Sequence, residues 1–198
     1  MRSTLQKISS TLGIYAGLLG IQHGVFEILQ GNIASGGLLI HAIGIPCQSE
    51  SVWHACYPAL TLVPNLFYSR IFASVAGLTV LVWAAAFVQH KHAVMILMLL
   101  SLFLFIVGGG FVSTFIGLIA GVAGSRKSAS STLRQTRSAM ALAQLWPWLL
   151  IVMAVWLPGS WILGYFFSQA MLTLGFFLFL TFDIGLPILA VFSGFAAE

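Results

Sequence analysis

The chain has 198 residues, of which 60% are hydrophobic and only 6% are charged, about a quarter of the charged share of a typical soluble domain. Eight basic and four acidic residues are too few to cover a soluble surface, so the composition excludes a soluble globular domain. Several apolar stretches approach the roughly 20 residues that cross a bilayer as a helix, where backbone groups have no other partners. The sequence therefore predicts an all-α integral membrane protein, folded as a single transmembrane helical bundle over residues 1–198.

The net charge of +4 indicates a membrane surface as the partner, and no nucleic acid is expected. Seven of the eight basic residues lie at the ends of apolar segments, and Arg70 is the exception. The seven are Arg2, Lys7, Lys91, Arg126, Lys127, Arg134 and Arg137. The positive-inside rule then places both termini in the cytoplasm of a multi-pass plasma (inner) membrane protein. The basic cytoplasmic loop 125–138 is expected to contact anionic lipid head groups.

The first apolar run predicts a retained transmembrane helix at about Thr11–Gly31, because it is too long for a signal peptide. Four glycines on one face of this helix, in two small-xxx-small pairs, would let another helix approach closely. They are Gly13, Gly17, Gly20 and Gly24. This face predicts a partner helix or a homo-oligomer.

The same helix carries a polar cluster, His23, Glu27 and Gln30. A charge at bilayer depth costs roughly 2.5–3.5 kcal/mol and usually faces the bundle interior. Glu27 lies close to the glycine face with His23 one turn earlier as its nearest partner, whereas Gln22 points the other way. Interhelical hydrogen bonding, contact with a ligand or ion, and acid–base catalysis are all compatible with this cluster. A haem ligand is not expected at His23, and the sequence predicts no cofactor.

A long segment, residues 32–70, follows and is predicted to be an extracytoplasmic lid loop, since a loop of about 40 residues is usually functional or independently folded. The two cysteines of the chain, Cys47 and Cys56, lie in it. On the oxidising side of a membrane they predict a structural disulfide, and two free thiols are the alternative. Together with His41 and His54 they lack the paired spacing of zinc sites, so no metal is predicted.

The remaining apolar stretches predict about six membrane segments in total. The stretch 93–124 is interrupted by Gly108–Gly110 and forms either two short helices around a tight turn or a re-entrant hairpin, which would leave five helices. The other predicted segments are Ile71–Val88, Met140–Leu157 ending at Pro158, and 161–197, which is too long for one untilted crossing.

Asp183 is the second acid inside an apolar segment. Pro187 cannot donate a hydrogen bond to the Asp183 carbonyl, and a free carbonyl beside a carboxylate is how broken membrane helices bind cations or protons. The alternative is a kinked helix whose aspartate lies at the inner surface. Glu27 is expected in the outer third of the membrane, so direct pairing with Asp183 is not expected.

None of the common catalytic motifs occurs in the chain, and whether it is an enzyme is left open. The favoured function is a small-molecule or lipid binding or transport subunit, with His23, Glu27, Gln30 and Asp183 as candidate ligand or ion contacts beneath the lid loop. The alternatives are an intramembrane enzyme acting on lipid or quinone, and a structural or assembly membrane protein.

Overall fold

A computed structural model describes residues 2–28, 31–41, 58–125 and 137–198. The side chains of residues 26–28, 41, 137 and 138 lie outside the described part. The chain is 79% helical and all-α, which confirms the predicted class. The helices are α1 (Thr4–Ile28), α2 (Leu66–Ala86), α3 (Ala93–Ile106), α4 (Phe111–Ser125), α5 (Arg137–Ala143), α6 (Trp146–Phe166), α7 (Ser168–Leu178) and α8 (Leu186–Ala197).

Among the described residues, three helical stretches are long and apolar enough to cross a membrane: α2, α6 and the continuous run Ser168–Ala197. α3 and α4 are apolar but shorter, and α1 has 25 residues but is more polar than these. Large apolar side chains on the outer faces are exposed, as expected of surfaces that contact lipid. A bilayer environment follows from these helices, whereas the number of crossings and their orientation stay predictions.

The buried core lies around α1, which packs against α2, α4 and α8. Fully buried Ile8, Leu12 and Ala16 of α1 meet residues of α2, α3 and α4. Many of those residues are alanine, including Ala73, Ala84, Ala120 and Ala123. Small side chains at these positions let the backbones come close, which gains dispersion contacts where lipid supplies no hydrophobic driving force.

The glycine face of α1 is covered by helices of the same chain. A Cβ added to Gly17 would lie 2.6 Å from the Gly77 carbonyl oxygen of α2, and one added to Gly13 would lie 2.5 Å from the Ala84 Cβ. At Gly20 an added Cβ would lie 2.7 Å from Leu104 Cδ2 of α3. The partners of this face are therefore α2 and, at Gly20, α3, so the face is covered within the chain.

One end of the bundle is formed by the described part of the lid loop, and we call it the hairpin end. Strands β1 (Leu39–His41) and β2 (Pro58–Leu60) pair antiparallel there. Ile40 and Ala59 are buried on this hairpin, and a bridge joins Thr61 to Val107 in the α3–α4 turn. The described part of the loop thus packs onto the helices.

The opposite end holds both described termini, and we call it the terminal end. The Leu5 amide donates to the Glu198 carboxylate at 2.9 Å. The Arg2 guanidinium donates to the Ala85 carbonyl at 2.7 Å, near the end of α2. Lys7 lies 5.9 Å from the centre of the Trp146 ring. The basic residues at the start of the chain therefore lie together at this end, far from the hairpin.

α3 and α4 are separate helices on either side of the three glycines, an arrangement that fits both predicted alternatives, the tight turn and the re-entrant hairpin. Gly108 and Gly110 adopt φ values of 98° and 86°, a conformation that favours glycine. The Gly109 amide donates to the Leu104 carbonyl at 2.8 Å. The depth of this turn in a bilayer stays a prediction.

Two helix starts differ from the predicted ones. α1 begins at Thr4, not near Thr11, because the polar first turns lie against the terminal end, where Ser9 and Ser10 are buried. α2 begins at Leu66, not Ile71, because the Asn65 side chain accepts hydrogen bonds from the Phe67 and Tyr68 amides and caps the helix.

The predicted helix end at Pro158 is wrong, because α6 continues through Pro158 to Phe166. A proline removes one hydrogen bond, whereas ending the helix in an apolar surrounding would expose several backbone groups. The Ser160 hydroxyl donates to the Leu157 carbonyl at 3.1 Å within the same turn. The last stretch is also one continuous helical run from Ser168, after a break at Phe167.

The α1–α2 contact predicts a strong effect of Gly17→Leu. The new side chain meets backbone of Gly77 and Leu81 that cannot move aside, so we expect a loss of about 1–3 kcal/mol of stability or failure to fold. The measurement is the thermal unfolding midpoint of the detergent-solubilised protein. The control is Gly159→Leu on α6, where nothing lies within 4 Å of an added Cβ. Equal midpoints for the two variants would contradict the proposed contact.

Candidate functional site

A cavity of about 130 Å³ lies between α1, the α3–α4 turn, α6 and the helical segment before α8. Its lining includes side chains far apart in sequence, so the tertiary fold alone creates it. The lining residues are Tyr15, Leu19, Gln22, His23, Pro58, Gly109, Gly110, Phe111, Val112, Ser113, Trp156, Leu157, Ser160, Trp161, Phe179 and Asp183.

α1 presents a second face to this cavity, distinct from the glycine face. Tyr15, Leu19 and Gln22 follow one another at helical spacing and all line the cavity, with His23 beside them. A Cβ added to Gly110 would lie 3.3 Å from His23 Nδ1, so glycine lets the α3–α4 turn come close to the imidazole. The glycine face anchors α1 on α2, and the opposite side of the helix is left to line the cavity.

Asp183 enters the cavity from a widened helical turn. Residues Phe179–Gly185 form a π-helix, and the Leu186 amide at its end donates to the Thr181 carbonyl five residues earlier. Pro187 follows directly and lacks the amide that would bond the Asp183 carbonyl in an α-helix. The wider π turn accommodates the missing hydrogen bond without ending the continuous helical run. π turns of this kind are frequent at functional sites.

The Asp183 carboxyl is deeply buried, with the residue only 6% exposed. Within the described part of the chain it has no hydrogen-bond or ion-pair partner. Its neighbour Phe182 stacks on Trp156 with 3.8 Å between ring centres and 12° between planes. This contact holds the π segment against α6 and fixes the wall on which Asp183 lies.

The other walls of the cavity are largely apolar and aromatic. Five aromatic residues line it: Tyr15, Phe111, Trp156, Trp161 and Phe179. The two serine hydroxyls are engaged with the backbone, because Ser113 donates to the Gly110 carbonyl at 2.9 Å and Ser160 to the Leu157 carbonyl. Gln22, His23 and Asp183 add an amide, an imidazole and a carboxyl to this lining.

The hairpin end closes one side of the cavity, because Pro58 of β2 is part of the lining. Adjacent Ala59 is buried and pairs with Ile40 of β1. The described part of the lid loop thus contributes to the cavity as well as to the end of the bundle.

The fold brings together two of the four sequence-predicted ligand contacts, His23 and Asp183, in one cavity. Glu27 lies in the last turn of α1, but its side chain lies outside the described residues, as do Gln30, Cys47 and Cys56. The predicted disulfide stays a prediction for that reason.

Sequence reasoning missed that Gln22 shares a cavity with Asp183, and it missed the aromatic wall of α6. The repeat of Tyr15, Leu19 and Gln22 at helical spacing is the signal that marks a second face of α1, the one that lines the cavity. Arg70 was also left out of the predicted site residues. It is completely buried near the hairpin end and donates to the Gly31 carbonyl at 3.4 Å.

A metal centre receives no support from the described residues, among which no group of three His, Cys, Asp or Glu side chains is close enough to hold an ion. What the cavity offers is one carboxyl, one imidazole and one amide facing aromatic walls. Such a set can orient an amphipathic molecule by a few hydrogen bonds while its apolar part is buried. No family model, curated protein or solved structure matches this chain.

The unpartnered carboxyl predicts that Asp183→Leu stabilises the ligand-free protein. A buried polar group without a hydrogen bond costs about 1–3 kcal/mol, and leucine removes that cost while extending into the cavity. We expect a higher thermal unfolding midpoint in detergent.

The control for this prediction is Glu198→Gln, which changes the other described acid, whose carboxylate accepts from the Leu5 amide. We expect it not to raise the midpoint. A lower midpoint for Asp183→Leu would show that the carboxyl stabilises the fold and would contradict the prediction.

Proposed function

We propose that this protein is a multi-pass membrane protein that binds a small amphipathic molecule or lipid in the described cavity, as a binding or transport subunit. The observation that carries the proposal is that Gln22 and His23 of α1 line the same cavity as Asp183 of the π segment, together with five aromatic residues. A concave apolar site with a few convergent polar groups is the usual form of a ligand pocket. A buried carboxyl that costs stability also favours a role in function.

The proposed topology has about six crossings, both termini in the cytoplasm of the plasma membrane and the hairpin end outside. It is supported by the position of Arg2 and Lys7 at the terminal end, with Lys91 in the α2–α3 turn. α3 and α4 have 14 and 15 residues, roughly 21–23 Å of helix. These two crossings are shorter than a bilayer core of about 30 Å, and the hairpin packed above their turn would shield its backbone.

The cavity is placed so that a ligand could reach it beneath the lid loop or between helices from the lipid. The aromatic residues on its walls are suited to the apolar part of such a ligand, and Asp183, His23 and Gln22 to its polar end. In a transport subunit the same groups would bind the cargo at one stage of its passage.

A decisive test is native mass spectrometry and lipidomics of the purified protein, with Ser160→Leu as the variant. Leucine at position 160 projects into the cavity, so we expect a co-purifying small molecule or lipid to be lost. The control is Thr173→Leu, because the exposed Thr173 hydroxyl donates to the Gln169 carbonyl much as Ser160 does to Leu157. The proposal fails if both variants retain the same ligand at the same occupancy as the unmodified protein.

A second candidate is an intramembrane enzyme acting on lipid or quinone, favoured by the imidazole and carboxyl that share the cavity. Two titratable groups in one site can exchange protons with a substrate. In this case His23→Gln and Asp183→Asn would each abolish turnover of the co-purified ligand while its binding persists. Binding without any turnover in the unmodified protein would remove this candidate.

A further inference from the structure

The charge balance inside the cavity indicates which chemical class of ligand it takes. Asp183 is the acidic residue of the lining, and no lysine or arginine occurs among the described residues that line the cavity. The Asp183 carboxyl has no hydrogen-bond or ion-pair partner in the described chain and belongs to a residue only 6% exposed. The protein therefore provides a buried acid without a counter-charge. A buried carboxylate is stable in its charged form only when it is paired, so a bound cation is the partner that would stabilise Asp183 in its ionised form.

The aromatic residues of the cavity walls also favour a positively charged ligand. Five aromatic residues belong to the lining, and the faces of aromatic rings carry a negative quadrupole that attracts cations. Trp156 is held in place by its stacking on Phe182, next to Asp183 in the chain. A carboxyl together with aromatic faces is a typical environment for an organic ammonium group.

A bare metal cation fits this lining poorly. Besides Asp183, the lining is mostly aromatic and aliphatic, with Gln22 and His23 on the α1 side, and the serine hydroxyls already donate to backbone carbonyls. Hard cations need several oxygen ligands to replace their hydration shell, and no three-residue cluster of His, Cys, Asp or Glu occurs in the described residues. An organic cation needs one charged partner and an apolar surrounding, and both are present.

The volume of the cavity limits the size of the part of the ligand that can be buried in it. A cavity of about 130 Å³ is close to the roughly 150 Å³ engineered cavity that holds one benzene molecule. The buried part of the ligand is thus about one aromatic ring or a short alkyl chain. Any longer tail would have to leave the cavity.

We infer that the ligand is an amphipathic cation, a protonated amine on an apolar body of about one ring, whose ammonium group pairs with Asp183 against the aromatic wall. This inference rests on the proposed binding function and names the ligand class for the same cavity. His23 and Gln22, on the α1 side of the cavity, would then contact the rest of the molecule. Within the described lining, specificity for positive charge depends on Asp183, and affinity for the apolar body depends on the aromatic side chains.

The test compares three probes of nearly equal size: 2-phenylethylamine, 2-phenylethanol and phenylacetate. Each is titrated by calorimetry into the full chain in nanodiscs of zwitterionic lipid, and empty nanodiscs give the partition background. We expect the amine to bind at least about tenfold more tightly than the alcohol, as a charge-assisted hydrogen bond allows, and phenylacetate not to bind.

Asp183→Asn is the decisive variant, because it removes the charge and preserves the shape. We expect it to reduce the affinity for the amine to that for the alcohol and to leave the alcohol unchanged. Glu198→Gln is the matched control at the terminal end and should retain the full preference for the amine. Ser160→Leu should abolish saturable binding of the amine, which assigns the binding to the cavity.

The outcomes separate this inference from the proposed function. Equal binding of amine and alcohol, or a preference for the amine that survives Asp183→Asn, overturns the cationic ligand class and leaves binding in the cavity intact. A preference for phenylacetate overturns it also. Absence of saturable binding of all three probes to folded protein overturns the inference, and the proposed function is then decided by the co-purification experiment with Ser160→Leu.

Discussion

The close contact between α1 and α2 is the constraint on which the rest of the molecule depends. Because Gly13, Gly17 and Gly24 of α1 leave no room for a side chain against α2, the rotation of α1 about its own axis is fixed. That rotation turns Tyr15, Leu19 and Gln22 toward α6 and the π segment. The glycines thus determine which polar groups of the first helix face the cavity, although none of these glycines lines it.

The second constraint is the cost of Asp183 at its buried position. A carboxyl without partners is unfavourable in an apolar interior, and the chain surrounds it with the Phe182–Trp156 stack and a π turn before Pro187. These features hold the acid in the wall of the cavity. The fold is thus organised to maintain an unfavourable group in place, as is common where stability is traded for function.

Much of the architecture followed from the sequence, because composition and apolar run length decide a helical membrane fold almost alone. The turn at Gly108–Gly110 was predictable from its three glycines. Asn65 is a favourable N-cap residue, but the helix start predicted at Ile71 did not take it into account. The helix end predicted at Pro158 was wrong, because exposing backbone groups in apolar surroundings costs more than the single hydrogen bond that proline removes. The cavity itself was not predictable, because His23 and Asp183 meet only through packing of α1, α6 and the last helix. Helical spacing says which residues share a face, and it does not say which faces meet.

The two ends of the bundle differ in chemistry, and this difference gives the cavity a direction. The terminal end carries Arg2 and Lys7, bonded to or packed on the helices. The hairpin end instead has an apolar strand pair whose Pro58 reaches the cavity, and its arginine, Arg70, is completely buried. A positively charged ligand would be repelled from the basic end and would meet less positive charge at the hairpin. If the terminal end is cytoplasmic, the distribution of basic residues that orients the protein would also favour entry of such a ligand from the hairpin end.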